Sequence, residues 1–434
     1  MSQPWPRTAA WVDGWLTSIG GVDVAELAAM YGTPLYVMDR AELLSRMREY
    51  RQAFGPDVSV VYAAKALCVV GVLQLAADQG LGVDVASDGE LCTAERAGFP
   101  MQRVVLHGNN KSRDELRHAA RLGVGTIVAD SLGELDRIAA VAAEVNRQLV
   151  VMLRITPGVA ASTHAFIATG HDDAKFGFSL WRGAAAEGID RALNLPGVHL
   201  TGLHCHIGSQ VTATDDFVVA AKAMCGLLGE TRDRHGVELD ELNLGGGLGI
   251  AYGPDDHTLA VTTYADRLLT TVGDELAARR LATPRLAVEP GRSIVGPAGL
   301  TLYRVGAGKE IAGLRRWVSV DGGMSDNLRP ALYGARYAVA PAGTPRHGPT
   351  AEFSVAGKHC ETGDVVAADV DLPEDLGEGD LLAVAATGAY GYAMANNHNR
   401  LPRPAMVLAG DGAAQLLVRR ETLDDVLAHD IVLR

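Results

Sequence analysis

Between residues 58 and 288 the chain repeats one pattern eight times: a short apolar β-rich run, a polar residue or glycine cluster just after it, and usually an amphipathic helix. The runs fall at 58–62, 82–85, 104–106, 126–128, 149–155, 200–206, 241–244 and 285–288. Ser112-Arg-Asp-Glu115 and Ser131-Leu-Gly-Glu134 have the spacing of capping boxes, each opening a helix directly after a strand. Strands that alternate with helices predict a parallel sheet, and eight of them within about 250 residues suit a closed (β/α)8 barrel of the TIM type. An open doubly wound sheet shares the same periodicity. The residues at the ends of the runs separate the two folds: Lys65, Asp84 with Ser87, His107, Asp130, Arg154, His206, the triplet Gly245-Gly246-Gly247, and Glu289. A barrel gathers its reactive side chains at the C-terminal ends of all its strands, so the barrel is the expected fold.

Past residue 300 the texture changes. Short alternating runs at 316–320, 337–339, 352–355, 364–370, 380–386 and 406–408 are broken by Gly and Pro, and helical periodicity is nearly absent until 423–427. This predicts a second, all-β domain of sandwich or barrel-like type. Two N-terminal strand-like runs, 15–19 and 34–38, flank a helical stretch at 22–31 that Gly32 is placed to end. They have no partner in the barrel count and are expected to join the β domain. The expected division is therefore 37–299 for the barrel and 1–36 plus 300–434 for the β domain.

A net charge of −13 argues against nucleic acid or an anionic membrane surface as the main partner. The five cysteines, Cys68, Cys92, Cys205, Cys225 and Cys360, are widely spaced without a CxxC, which suits free thiols in a reducing compartment. The N-terminus lacks an apolar core of signal type, and no uncharged apolar stretch reaches membrane-spanning length. The expectation is a soluble, cytoplasmic protein.

Four stretches carry chemistry. Val61-Tyr62-Ala63-Ala64-Lys65-Ala66 ends an apolar run on one lysine. Lys65 either reaches water, as most lysines do, or sits desolvated at the barrel mouth as a Schiff-base lysine. The pair His204-Cys205-His206 places two histidines on one face of a strand. Such pairs ligate metals in other barrels, but His107, Asp130 and Asp321 do not complete a recognisable ligand set, and no metal is expected. Gly245-Gly246-Gly247-Leu248-Gly249 is either a structural turn or a phosphate cradle. It is not a nicotinamide fingerprint, because Ile250 and Tyr252 stand where a third glycine would fall. Glu289-Pro290-Gly291-Arg292 sets a carboxylate three residues from a guanidinium, either paired together or facing one anionic, nitrogen-bearing ligand.

Taken together, eleven motifs in order make the chain resemble the fold-type III pyridoxal-phosphate decarboxylases, and within them the branch that acts on diaminopimelate. They are TPLYVMD (33–39), YAAKA (62–66), GVDVAS (82–87), HGNNKS (107–112), HAFIATGHDDAKFG (164–177), GLHCHIGSQ (202–210), LGGGLG (244–249), EPGR (289–292), DGGMSDNLRPALYGA (321–335), GKHCETGD (357–364) and TGAYGYAMANNHN (387–399). The resemblance implies a pyridoxal 5'-phosphate enzyme that converts meso-diaminopimelate to L-lysine and CO2, with a barrel followed by a β domain. It implies Lys65 as the Schiff-base lysine, His206 stacked on the cofactor ring, Glu289 on the pyridinium nitrogen and Asp84 near the ring. It assigns the phosphate to Ser209, Gly245, Gly246, Gly247, Gly291 and Tyr390, with Arg292 close by. Substrate contacts are implied at Arg292, Arg329, Tyr333, Glu361 and Tyr390. Cys360 and Glu361 are expected from the neighbouring subunit of a homodimer, with Cys360 the candidate proton donor.

Charge then favours one substrate. Diaminopimelate carries an amino-acid group at each end, so the non-reacting end needs cations for its carboxylate and an anion for its ammonium. Arg292, Arg329 and Glu361 supply that set, whereas ornithine or lysine would leave two arginines unmatched. Two positions depart from the family: Thr362 replaces the usual serine and His398 the usual tyrosine. The competing readings are a relative acting on another basic or carrier-bound amino acid, a catalytically silent homologue, and a metal-dependent barrel hydrolase.

Overall fold

The computed structural model describes residues 4–158 and 175–433. Most of the HAFIATGHDDAKFG motif, residues 164–174, lies outside the described residues. The chain divides into two compact units: Met47–Gly249 with Thr258–Ser293, and Met1–Arg46 with Ile250–His257 and Ile294–Arg434. It passes from one to the other four times.

The first unit is a closed parallel barrel. Its strands are β1 (Val58–Ala63), β2 (Gly82–Val85), β3 (Val104–Leu106), β4 (Thr126–Ala129), β5 (Leu149–Thr156), β6 (Val198–Cys205), β7 (Glu241–Asn243) and β8 (Arg285–Val288). Each is hydrogen-bonded to the next, and β8 pairs with β1 to close the ring. A ring has no free sheet edge, which excludes the open doubly wound alternative. The strands are short and apolar because both faces are covered: Val60 to Ala63 and Val83 to Val85 are buried without a break.

Helix ends explain why the chain turns where it does. Ser112 and Glu115 form the expected capping box, and Gly123 ends that helix with a left-handed φ of 73°. The second expected box does not form. Ser131 makes no side-chain cap, because Glu134 is drawn into a buried network, accepting from the Asp130 N–H at 2.8 Å and from Lys111 Nζ at 3.0 Å. A buried ammonium needs a carboxylate more than a helix end needs its cap.

The second unit is built on a 12-stranded sheet. Its path runs Ala10–Val12, Trp15–Ile19, Val339–Ala342, Leu381–Val384, Gly299–Ile311, Arg315–Val320, Thr350–Ala356 and Val365–Pro373. Leu35–Asp39 joins the sheet between Gly299–Ile311 and Ala405–Gly410, and Ala405–Gly410 also pairs with Ala413–Val418. Two cores hold it together, one around Leu16, Leu35, Leu300 and Val407, the other around Tyr252, Tyr303, Val318 and Val384. The N-terminal helix Val24–Tyr31 is capped by Asp23 and ended by Gly32, and it begins two residues inside the expected start.

Candidate active site

Side chains at the C-terminal ends of four barrel strands meet around one carboxylate. Glu289 lies just past β8 and is buried. Its Oε1 accepts from His107 Nε2 at 2.9 Å and from Asn243 Nδ2 at 2.7 Å, and its Oε2 accepts from His204 Nε2 at 2.9 Å. The topology explains the convergence. His204 and Asn243 are register partners on β6 and β7, Asn243 pairs onward with Ala287 on β8, and His107 arrives from the end of β3. Burial works against a charge on Glu289, but His107 and His204 outweigh it and hold the carboxyl well below the usual carboxylate range. Burial pushes the His107 imidazole down to about 4, even though Glu289 pulls the other way. The result is an ionised acid held by three side-chain donors.

Sequence patterns alone do not assemble this cluster. They offer His107 and His204 only as possible metal ligands and give Asn243 no role of its own. The atoms of His107, His204 and Glu289 do lie within 4.8 Å of one another, a spacing a metal ion can use, but an ion there would have to displace both imidazole hydrogen bonds. Neither of the other candidate ligands belongs to the group: Asp130 is absent from it, and Asp321 sits in the β unit, where its carboxylate accepts from Thr33 Oγ1 at 2.5 Å.

Lys65 occupies a single 3-10 turn, Ala64–Ala66, directly after β1. Its alanine neighbours are buried while Lys65 itself is exposed. The turn takes the side chain out of the strand's buried alternation and frees its amine at the barrel mouth. Its charge still acts on Asp84, Glu90 and His206. Asp84 is buried on β2, in register with Ala63. Burial and the nearby Glu289 push its carboxyl well up, against the pull of Lys65 and Arg154.

His206 follows β6, and its Nδ1 accepts from the Gly246 N–H at 3.3 Å. Gly246 has to be glycine. A Cβ there would lie 2.0 Å from the Glu289 carbonyl oxygen, so the loop can run past the end of β8 only without a side chain. Arg292 is buried and gives Nε and Nη2 to Ser209 Oγ at 3.2 and 2.9 Å. Glu289 therefore pairs with histidines, and Arg292 with a serine hydroxyl, which disposes of the simple Glu289–Arg292 pair.

The β unit carries the remaining expected residues. Arg329 opens a helical turn, Arg329–Tyr333, and is only 6% exposed, so it is not a surface residue paired along a helix. Its guanidinium lies 4.7 Å from the ring centre of Tyr252 and donates to Tyr337 Oη at 2.5 Å. Among the described residues it has no carboxylate in ion-pair contact. Tyr390 takes a left-handed φ of 60° next to Gly391. Cys360 and Glu361 are exposed. The loop that carries them is fixed on both sides: Asp364 accepts from the N–H and Nδ1 of His359 at 2.9 and 2.6 Å, and Asn399 Oδ1 accepts from the Cys360 N–H at 3.0 Å. The departing residue His398 stacks on His359, with ring centres 5.5 Å apart and planes 14° apart.

A family model for the pyridoxal-binding domain of pyridoxal-dependent decarboxylases matches residues 40–296. The diaminopimelate decarboxylase of Bacillus subtilis is 48% identical over 416 residues, covering 95% of this chain and 94% of the relative. That of Mycobacterium tuberculosis is 45% identical over 435 residues, covering 98% and 97%. The chain belongs to the diaminopimelate decarboxylase family. Among solved structures, the M. jannaschii diaminopimelate decarboxylase in complex with L-lysine matches with a TM-score of 0.92 at 35% identity, covering 98% of both chains. The chain is a pyridoxal-phosphate-dependent carboxy-lyase by this membership. The barrel residues fit that cofactor: an amine at the mouth, a buried ionised carboxylate with acceptor capacity left, and a glycine loop that side chains would fill.

Proposed function

We propose that the chain decarboxylates meso-diaminopimelate at one end, releasing CO2 and leaving L-lysine, and works as a cytoplasmic homodimer. Pyridoxal 5'-phosphate, when bound, supplies an electron-withdrawing ring that takes up the electrons left behind as CO2 departs. The chain's own residues do the rest. Lys65 anchors the cofactor through its amine, and Glu289 holds the proton on the ring nitrogen, with Asp84 nearby. His206 packs on the ring, while Ser209, Gly245, Gly246, Gly247, Gly291, Arg292 and Tyr390 hold the phosphate. Arg292, Arg329, Tyr333, Tyr390 and Glu361 bind the substrate, and Cys360 Sγ returns a proton.

The observation that carries the substrate assignment is Arg329. A guanidinium stacked on tyrosine and buried without a carboxylate partner among the described residues is built for an anion that comes with a ligand. The non-reacting carboxylate of diaminopimelate is such an anion, and a diamine precursor such as ornithine has none. Sharing of the site between two copies is supported by Cys360 and Glu361, which stand exposed on a loop that hydrogen bonds hold rigid. Five free thiols accord with a reducing compartment, and no helix among the described residues is long and apolar enough to cross a membrane.

The test is release of lysine and CO2 from meso-diaminopimelate by cofactor-loaded protein, with ornithine, arginine and lysine run alongside. Lysine formed from diaminopimelate alone is the expected result. Turnover of ornithine or arginine at a comparable rate would overturn the substrate assignment, and turnover of none would move it to another acid of the same class.

A further inference from the structure

We propose that His107, His204 and Asn243 are positioning residues that fill three of the four acceptor positions of the Glu289 carboxylate and reserve the fourth, on Oε2, for the protonated ring nitrogen of the cofactor. The inference rests on the cofactor role given to Glu289 above and goes beyond it by assigning the residues that make that role workable.

A carboxylate offers about four lone-pair sites, two on each oxygen. Oε1 is saturated by His107 Nε2 and Asn243 Nδ2, while Oε2 accepts only from His204 Nε2 among the described residues. The open position is therefore on one known oxygen. Three donors arriving from β3, β6 and β7 also fix the plane of the carboxylate, so no rotation is left to it.

The choice of donors matters as much as their number. To act on a carboxylate each imidazole must present Nε2–H, which leaves Nδ1 as the bare acceptor atom. His204 Nδ1 is buried and has no hydrogen-bond partner. That suits a lone pair, whereas a buried Nδ1–H without an acceptor would cost about 1–3 kcal/mol. An imidazole that carries only its Nε2–H solvates the carboxylate without cancelling its charge. Arginine or lysine in their place would neutralise it, and the site would lose the negative field that keeps a pyridine nitrogen protonated. Asn243 makes the arrangement stricter still. Its Oδ1 is engaged by the Gly245 N–H at 2.9 Å, which turns its amide nitrogen toward Glu289.

The experiment uses holoenzyme loaded with cofactor labelled with 15N in the ring, without substrate, read by solid-state NMR. In the wild type the ring nitrogen is expected in its protonated position, with Nε2–H at both histidines. His107→Leu and His204→Leu should each shift part of the signal to the unprotonated position. They should also lower kcat roughly tenfold, the size of one charge-assisted hydrogen bond, with KM changed less than about twofold. His107→Gln and His204→Gln keep a donor and should recover most of both. An unchanged nitrogen signal in the leucine variants would overturn the proposal. So would an Nδ1–H tautomer at either histidine of the wild type, a reading that needs no variant to fold. Stoichiometric Zn2+ binding to the apo-protein that is lost in both variants would also overturn it, in favour of a metal site. Because no substrate is present, failure of the diaminopimelate assay would leave this reading to be judged on the nitrogen signal alone.

Discussion

Arg329 rests its guanidinium 4.7 Å from the centre of the Tyr252 ring, a contact between residues 77 positions apart on two segments of the β unit. Together with the hydrogen bond to Tyr337 Oη, this contact holds the guanidinium in place before any ligand arrives. A lysine at this position keeps the charge and loses both the stacking and the fork of donors. Arg329→Lys should lower kcat/KM for diaminopimelate by roughly 10- to 100-fold, mainly through KM, while the bound-cofactor absorbance is unchanged. An effect on cofactor content instead of KM would place Arg329 elsewhere in the function.

Lys65 can be tested by chemistry as well as by activity. Lys65→Ala should lose both turnover and the cofactor adduct that borohydride fixes in the wild type. Mass spectrometry of a peptide digest checks the second point, and a trapped adduct on another lysine would refute the assignment.

Shared sites predict complementation. The Lys65→Ala and Cys360→Ala variants should each be inactive or nearly so on their own. If the two residues meet across a two-fold interface, a mixed dimer carries one site with both defects and one site with neither. Random re-association of an equimolar mixture should then restore roughly a quarter of wild-type activity. No recovery despite demonstrated subunit exchange would place both residues in the same chain's site.

His107 makes stability depend on pH with a definite sign. Its folded value of about 4 lies below that of a free imidazole, so between roughly pH 6.5 and 4 the unfolded chain binds the extra proton. This contribution is fully present above about pH 6.5 and is lost as pH falls toward 4, to a total of about 3 kcal/mol. Urea unfolding of the apo-protein at pH 7 and pH 4.5 should show a larger loss for the wild type than for His107→Gln. Equal losses would mean that His107 is not the group responsible.

Gly246→Ala sets a methyl group 2.0 Å from the Glu289 carbonyl oxygen, against backbone that cannot step aside cheaply. The expected cost is about 1–3 kcal/mol in stability, together with weaker cofactor binding, as measured by thermal unfolding and by cofactor titration.

Much of the barrel is legible because its strands are apolar runs cut off sharply by glycine or charge. Gly82–Val85, Val104–Leu106 and Arg285–Val288 stand at the expected bounds. The longest strand of the β unit, Gly299–Ile311, leaves no such signature. Its first half is buried and its second exposed, through Gly306, Ala307, Gly308 and Lys309, so neither alternation nor a continuous apolar run marks it. The Glu289 cluster is hidden for a different reason. Its donors come from 182, 85 and 46 residues away, and only the order of strands around the barrel brings them together. The 3-10 turn that carries Lys65 is not legible either, because a turn that lifts a side chain off a strand leaves no mark in a run of alanines.

The four crossings between the two units have a practical meaning for anyone cutting the gene. Neither unit is a contiguous stretch of codons. A fragment spanning 47–293 would carry the barrel and also strand the segment Ile250–His257, whose Ile250 and Tyr252 are buried in a core of the other unit. Produced alone, such a fragment would show water an isoleucine and a tyrosine that the full chain hides, and Arg329 would be left behind without the ring beneath it. Truncation is thus the wrong scalpel for dividing the labour in this molecule, and point substitutions in the intact chain are the right one.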